Sequence, residues 1–321
     1  MGAPWAPPCD ALIRSGVGRR AAQPRTRHLG YTPGVLGAPV VVFEPTAAPV
    51  AIVVDSPHSG MEWPPDFRPV APPEAILSTW DAFVDDLWTG ARGAGATLIA
   101  ARFPRAYIDV NRAADDIDAE LVEGHWPTPL AATDYTRRGM GLIRRLALPE
   151  VPMYNRRLTP EEIQARLEHY YRPYRAALAQ VIDRVQAAFG TVVHVNAHSM
   201  KSRGNAMNVD SGTPRPDVVV SDRHGVTADP RITEWAAAWF REHGFAAQVN
   251  TPYQGGDLVA AFGAPGAGRH SIQIELNRAL YMDEARFIRS AGFEAIHRTL
   301  TAFVGALAAH IEAREVPGQR A

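Results

Sequence analysis

The chain has very little cysteine and lysine for its 321 residues. Its one cysteine, Cys9, has no partner in the chain, so an internal disulfide is excluded, as is usual for proteins of the reducing cytoplasm. Lys201 is the only lysine, and every other permanently cationic side chain is an arginine. Lysine chemistry therefore has a single candidate residue. From the cysteine content we expect a cytoplasmic protein.

The chain also lacks an excess of charge of either sign. Lysine and arginine together number 33 against 34 acidic residues, and the net charge is −1. This balance offers no electrostatic surface to nucleic acid or to an anionic membrane, so we expect neither as a partner. No run approaches the ~20 consecutive apolar residues that a transmembrane helix requires. Hydrophobic residues still make up 46% of the chain, which is enough for a large globular core.

Residues 1–38 lack the pattern of a folded segment. They hold several arginines and prolines, one acidic residue (Asp10) and no apolar run of the kind found in a secretory signal. We predict a disordered N-terminal extension over residues 1–38, followed by a single domain over residues 39–315.

Strand-like apolar runs alternate with helical periodicity from residue 40 onward. This alternation predicts an α/β sheet whose faces are covered by helices. The clearest helix begins at Thr159, which is followed by a proline and two glutamates, and continues to Phe189. The pattern also predicts a helix over residues 74–93, a strand over residues 106–111 and a last helix over most of residues 283–311.

Two apolar strands each end in a turn that carries a histidine. The segment TVVHVNAHSMK delivers His198, and the segment AIVVDSPHSG delivers His58. Ligands and chemistry in α/β sheets lie at the carboxyl ends of strands, so two such histidines predict a metal site. Catalytic zinc takes three protein ligands and leaves one position for water. Among acidic residues, Glu62, Asp81 and Asp85 are all candidates for the third ligand, and the residues alone do not choose between them.

Two other segments carry polar side chains suited to chemistry. Glu275 interrupts the apolar strand pattern of residues 270–278 (HSIQIELNR), and a buried carboxylate has to be paired or used. It is a candidate general base; the alternative is a salt bridge with Arg278. Residues 107–112 (YIDVNR) are predicted to form a strand that ends in Asn111 and Arg112. This pair is suited to binding a carboxylate. The alternative for Arg112 is an ordinary surface arginine that begins a loop.

Taken together, these motifs resemble those of the N-formylglutamate amidohydrolase family. The resemblance implies a mixed, mostly parallel sheet flanked by helices on both faces, similar to the zinc carboxypeptidases, with a metal at the strand tips. The matching segments occur in family order from about residue 40 to 285: SPHSG at 56–60, WD at 80–81, IDVNR at 108–112, GLI at 141–143, NAHS at 196–199, GG at 255–256 and the strand from 270 to 282.

The resemblance implies specific roles for the site residues. It favours Asp81 as the acidic ligand beside His58 and His198, and it makes Glu275 the general base. Asn111 and Arg112 would hold a carboxylate of the substrate. The sequence departs from the carboxypeptidase pattern at Met61, where those enzymes have an acidic ligand, and at Arg175, where the family often has a histidine.

A dianionic substrate requires further cationic groups. Arg144 follows the GLI segment and is a candidate for the second carboxylate, in competition with Arg137 and Arg138. His270 could stabilise the developing oxyanion, hydrogen-bond to one of the metal ligands, or be a structural histidine of the strand. These alternatives stay open from the sequence.

The implied reaction is hydrolysis of N-formyl-L-glutamate to L-glutamate and formate, a step of histidine degradation, with Zn²⁺ as cofactor. The sequence does not distinguish Zn²⁺ from Co²⁺, Mn²⁺ or Fe²⁺ at such a site. Two alternatives are an amidase or carboxypeptidase-like peptidase for another N-acyl amino acid or peptide, and a small-molecule binding protein without catalysis. The oligomeric state cannot be read from the sequence.

Overall fold

A seven-stranded sheet lies at the centre of the protein, whose computed structural model describes residues 37–315. The strands of this region are, in chain order, β1 (Val40–Phe43), β2 (Ile52–Ser56), β3 (Thr97–Ala101), β4 (Leu146–Leu148), β5 (Val151–Pro152), β6 (Val192–Met200), β7 (Val218–Ser221), β8 (Ala247–Val249), β9 (Arg269–Asn277), β10 (Met282–Asp283) and β11 (Ile288–Arg289). The central sheet has the order β1-β3-β2-β6-β9-β7-β8, and β4–β5 and β10–β11 form two small separate sheets.

Most neighbouring strands of the central sheet are parallel. The pairs β2–β3, β2–β6, β6–β9 and β7–β8 are parallel, whereas β1–β3 and β7–β9 are antiparallel. Every residue of β2, β3, β6 and β7 is buried, which explains why β3 and β7 read as nearly continuous apolar runs, whereas β6 also buries His194, Asn196 and His198. The prediction of a mixed, mostly parallel sheet is confirmed.

Helices cover both faces of this sheet. The helices of the described region are α1 (Pro73–Leu77), α2 (Val84–Leu87), α3 (Asp134–Arg137), α4 (Pro160–Arg166), α5 (Arg172–Phe189), α6 (Pro230–Glu242), α7 (Asp257–Phe262) and α8 (Phe293–Glu315). Residues of α2, α6 and α8 pack with Ile52 and Val54 in what we call the α8-side core. Residues of α1, α4, α5 and α7 pack with Val53 in the α5-side core. Successive residues of β2 therefore serve opposite faces, as the period of a strand requires.

The helix predicted from Thr159 to Phe189 is confirmed. It begins with a capping box, in which the Thr159 hydroxyl accepts the Glu162 N–H and the Glu162 carboxylate accepts the Thr159 N–H. A turn of π-helix over Leu167–Tyr171 joins α4 to α5. The helix ends at Gly190, whose φ of 79° is the left-handed conformation that stops helices.

The prediction of one continuous helix over residues 74–93 is wrong. The segment forms α1, an irregular stretch, α2 and a 3-10 turn (Thr89–Arg92). Ile76 packs into the α5-side core, whereas Val84 and Leu87 pack into the α8-side core. One straight helix cannot reach both faces of a sheet, so the backbone breaks between them, with Phe83 at a φ of 62°.

Two other element predictions also need correction. Residues 106–111 form turns rather than a strand, because the Tyr107 carbonyl accepts a hydrogen bond from the buried Arg166 instead of from a neighbouring strand. The Arg166 guanidinium also lies 4.1 Å above the Tyr107 ring. The last helix begins at Phe293, later than predicted, because the hairpin of β10 and β11 precedes it.

The described residues belong to one compact unit. The predicted extension over residues 1–38 lies almost wholly outside the described residues, which begin at residue 37. Between residues 37 and 315, no helix has the length and apolar character needed to cross a membrane.

Candidate active site

A cavity of about 500 Å³ opens at the carboxyl ends of β2, β6 and β9. This is the edge at which α/β sheets bind ligands, because the loops that follow parallel strands meet there. Its walls include every site residue predicted from the sequence except His270: His58, Asp81, Asn111, Arg112, Arg144, His198 and Glu275.

Three predicted metal ligands lie side by side in this cavity. His58, Asp81 and His198 each offer one ligand atom, and these atoms lie within 4.8 Å of one another. Oδ2 of Asp81 is 3.3 Å from Nδ1 of His58 and 3.0 Å from Nδ1 of His198. Both histidines therefore direct the same ring nitrogen, Nδ1, towards the carboxylate.

The opposite nitrogen of each ring is held by an oxygen. Nε2 of His58 lies 2.7 Å from Oδ1 of Asp109, and Nε2 of His198 lies 2.7 Å from Oδ1 of Asn196. Asn196 is itself oriented, because its amide nitrogen donates to Asp55 and its oxygen must then face His198. With a cation bound at Nδ1, each Nε2 would carry the proton and donate it to its oxygen.

Asp81 is an anion in spite of its burial. Burial alone would raise its pKa, but hydrogen bonds with His198 and His58 and the charge of Arg105 hold the pKa of Asp81 well below its usual value. Arg278 donates to its other oxygen at 2.9 Å, and Arg105 lies 3.6 Å from the same atom. A buried carboxylate that stays ionised is a suitable ligand for a divalent cation.

The other two acidic candidates lie away from the histidines. Glu62 pairs with Arg102 on the surface, where its side chain is 42% exposed. Asp85 is fixed by its backbone N–H, which donates to the Ser59 hydroxyl, and it does not line the cavity. Of the three alternatives, the structure brings Asp81 to the histidines.

Glu275 lies directly beside His198 on the neighbouring strand. The two residues are register partners on β9 and β6, so their side chains share a face of the sheet. Burial raises the pKa of Glu275, and the nearby Asp81 raises it further, while His198 and Arg105 oppose the shift. Gln273 donates to one carboxylate oxygen at 3.0 Å. The salt bridge with Arg278 considered from the sequence is wrong, because in the described residues Arg278 pairs with Asp81.

Asn111 and Arg112 line the cavity but do not end a strand. The Asn111 side chain accepts the N–H of Leu258 at 2.8 Å, and its nitrogen lies 3.1 Å from Nε2 of His198. Arg112 donates through Nε to the Met140 carbonyl at 3.1 Å, and its guanidinium is 4.1 Å from the centre of the Tyr135 ring. Both contacts hold Arg112 at the cavity wall, so it is not a free surface arginine.

Arg144 is the most buried of the three arginines considered for a second carboxylate. It is 8% exposed, and its buried Nε finds no hydrogen-bond partner in residues 37–315. Burial and the like charges of Arg105 and Arg112 lower its pKa to about 9. Arg137 is instead 65% exposed and pairs with Asp134, and neither it nor Arg138 lines the cavity.

His270 lies at the other end of its strand. It precedes Glu275 by five residues, roughly 17 Å along a strand. Its Nδ1 accepts the N–H of Asp229 at 3.2 Å, just before α6 begins. The structure therefore does not bring His270 to the cavity, and its position agrees with a structural role.

The sequence reasoning missed the cavity residues Arg105, Lys201 and Arg278, and the buried Asp109 behind the cavity. Arg105 and Asp109 form an ion pair of 2.6 Å behind His58, although Asp109 stands inside the matched IDVNR segment. Lys201 and Arg278 follow directly after β6 and β9. Their positions directly after two strands could have identified them as cavity residues, because residues just past parallel strands reach the same edge of the sheet.

The fold and the cavity together define an α/β enzyme whose site lies at the carboxyl edge of a mixed sheet and combines a buried His–Asp–His cluster with a neighbouring glutamate. The sequence profile of the N-formylglutamate amidohydrolase family matches residues 50–282. The chain belongs to this family, and it is an enzyme that hydrolyses an amide C–N bond.

Similar proteins carry the same description. N-formylglutamate deformylases of Pseudomonas putida and Pseudomonas aeruginosa are 29% and 28% identical to the chain, in alignments that cover 73% of it and 82% and 83% of the relatives. The crystal structure of N-formylglutamate amidohydrolase from Ralstonia eutropha matches with a TM-score of 0.82 and 41% identity, covering 86% of this chain and 99% of that one. The resemblance stated from the motifs is confirmed.

Proposed function

We propose that this enzyme hydrolyses N-formyl-L-glutamate to L-glutamate and formate with a divalent metal ion, Zn²⁺, held by His58, Asp81 and His198. The convergence of three ligand atoms within 4.8 Å, beside Glu275, is the observation that carries the proposal. The names of the Pseudomonas and Ralstonia relatives support the substrate.

The donor set of the cluster fits the metal. Two imidazole nitrogens and one carboxylate oxygen match a catalytic zinc site with an open position, and their second atoms are held by neighbouring groups, as such sites require. Zn²⁺ bound there would lower the pKa of a water molecule towards ~7 and polarise the formyl carbonyl. Co²⁺, Mn²⁺ and Fe²⁺ suit the same donors.

Glu275 is the general base of the proposed reaction. Its carboxylate removes a proton from the attacking water and later passes it to the departing amino nitrogen of glutamate. The hydrogen bond from Gln273 orients this carboxylate towards the cavity. Arg105 takes the role considered for His270, because it lies 3.6 Å from Asp81 and can stabilise negative charge that develops on the carbonyl oxygen.

The cavity suits a small dianionic substrate. Its volume of about 500 Å³ lies within the range of ordinary small-molecule sites, and Arg112 and Arg144 line it. Guanidinium groups bind carboxylates through paired hydrogen bonds, so each arginine is a candidate partner for one carboxylate of N-formyl-L-glutamate. An amidase for another N-acyl amino acid or a peptidase remains the second candidate.

The test combines metal analysis with assays on the full chain. We expect about one zinc per chain and faster hydrolysis of N-formyl-L-glutamate than of N-acetyl-L-glutamate or of a glutamate-terminated peptide. Glu275→Gln should lower kcat by at least about 100-fold without loss of metal, whereas Glu234→Gln, an exposed change on α6, should do neither. Full activity of Glu275→Gln would overturn the mechanism, and a faster peptide reaction would overturn the substrate.

A further inference from the structure

The cavity holds more basic than acidic side chains. Seven arginine and lysine residues line it, compared with five aspartate and glutamate residues. Clefts lined by an excess of one charge attract ligands of the opposite charge. Several of these cations already have partners within the protein, so only the others are available to a ligand.

Three of the cations have carboxylate partners within the protein. Arg105 pairs with Asp109 at 2.6 Å and Arg278 with Asp81 at 2.9 Å. Arg215 pairs with Asp210 at 2.7 Å. Two more donate to main-chain oxygens, since Arg112 bonds to the Met140 carbonyl and Arg223 to the Gly255 carbonyl.

Arg144 and Lys201 are the exceptions. Throughout the described region, neither side chain makes a hydrogen bond or an ion pair, although both line the cavity. Arg144 is only 8% exposed. A buried cation with no counter-ion is unfavourable, because it has lost its hydration without gaining a partner.

The two side chains also affect each other electrostatically. Burial and the like charges of Arg278 and Arg144 lower the pKa of Lys201 to about 8. Arg144 itself is surrounded by Arg105 and Arg112, which act in the same direction on its own pKa. Asp109 and Asp81 raise the pKa of Arg144 and Glu284 raises that of Lys201, but within the described residues none of these carboxylates forms an ion pair with either side chain. An anion bound by both side chains would oppose the lowering of both pKa values.

We propose that Arg144 and Lys201 together bind the second carboxylate of the substrate and so select N-acyl amino acids with an acidic side chain over those with a neutral one. This inference rests on the proposed function of the same cavity. Lys201 is well placed for the task, because it immediately follows β6 and stands three residues beyond His198.

Kinetics with a matched substrate pair test the selectivity. N-formyl-L-glutamine has the size of N-formyl-L-glutamate but one carboxylate fewer. Lys201→Gln should lower kcat/KM for the glutamate derivative about 10- to 100-fold more than for the glutamine derivative, mainly through KM, as expected for the loss of a charged hydrogen bond. Lys201→Arg should retain most of the preference for the glutamate derivative. Arg137→Gln, which removes an exposed cation outside the cavity, should leave kcat/KM for both substrates unchanged. Equal losses for both substrates in Lys201→Gln would overturn the inference.

A labelling experiment tests the subsite without requiring turnover. Because Lys201 is the only lysine, an amine-acylating reagent can modify just Lys201 and the N-terminal amine. Mass spectrometry should show that glutarate slows acylation of Lys201, whereas glutaramate, its monoamide, does so much less, and that the N-terminal amine reacts equally in both.

The two experiments separate the two proposals. Protection by glutarate in an enzyme that does not hydrolyse N-formyl-L-glutamate would leave the subsite standing and remove the proposed substrate. Hydrolysis of N-formyl-L-glutamate without selective protection of Lys201 would overturn the subsite and leave the proposed substrate.

Discussion

Nε2 of His58 lies 2.7 Å from Oδ1 of Asp109, and each of these side chains is 1% exposed. Burial would raise the pKa of Asp109, but the charges of Arg105 and His58 hold it well below its usual value, so Asp109 accepts the hydrogen bond as a carboxylate. In the metal-bound enzyme proposed above, His58 would therefore keep its proton on Nε2 and offer Nδ1 to the metal. One contact behind the cluster thus decides which nitrogen is available to a metal.

Replacing Asp109 by asparagine should weaken metal binding. An asparagine could offer either its oxygen or its amide nitrogen to His58, so the tautomer would no longer be fixed. We expect the affinity for Zn²⁺, measured by competition with a chelator, to fall about 10- to 100-fold. Asp115→Asn, the same change at an exposed position, is the control. An unchanged affinity in a folded Asp109→Asn protein would contradict this role.

Substitutions of the three acidic candidates should identify the third metal ligand. We expect Asp81→Asn to lose bound zinc, because the cluster then lacks its anionic donor. Glu62→Gln and Asp85→Asn should retain it, since neither side chain lines the cavity. The measurement is zinc per chain by elemental analysis, on samples whose folding is checked by circular dichroism. Zinc loss from Glu62→Gln with retention in Asp81→Asn would reverse the assignment.

The preference for an acidic substrate should depend on pH through Lys201. The pKa of this lysine is lowered to about 8, by burial and by Arg278 and Arg144, with Glu284 and Arg215 the other charged groups near it. The ammonium is charged below this value and loses its proton above it, so the preference should weaken as the pH rises from about 7 to 10.

The ratio of kcat/KM for N-formyl-L-glutamate over N-formyl-L-glutamine is the proper measure, because titrations that affect both substrates cancel in it. Lys201→Arg should give a flatter profile below about pH 9, since an arginine at this position stays charged there and the pKa of Arg144 is lowered only to about 9. A flat profile for the unsubstituted enzyme would contradict the prediction.

Gly60 is required by a close approach of two backbone segments. A Cβ at this position would lie 2.2 Å from the carbonyl carbon and 2.5 Å from the carbonyl oxygen of Arg102, and backbone atoms cannot move aside as a side chain can. We expect Gly60→Ala to lower the free energy of unfolding by about 1–3 kcal/mol in urea titrations. The loop that carries His58 would shift, so metal affinity should fall as well.

Gly305→Ala provides a control of opposite sign. Apart from the backbone of its own helix, no atom of residues 37–315 lies within 4 Å of a Cβ at Gly305, an exposed position of α8. Alanine should stabilise that helix by up to about 1 kcal/mol, because it has the higher helix propensity. Equal effects of the two substitutions would show that the contact with Arg102 is unimportant.

The strands that carry the site were readable from the sequence. β2, β6 and β9 combine apolar residues with polar ones at or just beyond their carboxyl ends, and parallel strands bring those ends to one edge. This pattern predicts that His58, His198 and Glu275 lie near one another, and the structure brings them together in one cavity. The pattern failed for His270, which lies at the amino end of β9 and, five residues from Glu275, on the opposite face.

Only the tertiary structure decided how the remaining groups join this edge. The apolar stripe of residues 74–93 reads as one helix, yet it serves both cores, and the resulting break is what delivers Asp81 to the histidines. The role of Asp109 likewise depends on a contact with His58, 51 residues away, that no local pattern encodes. Local periodicity determines strands and their faces, whereas the position of a loop is set by packing between segments distant in sequence.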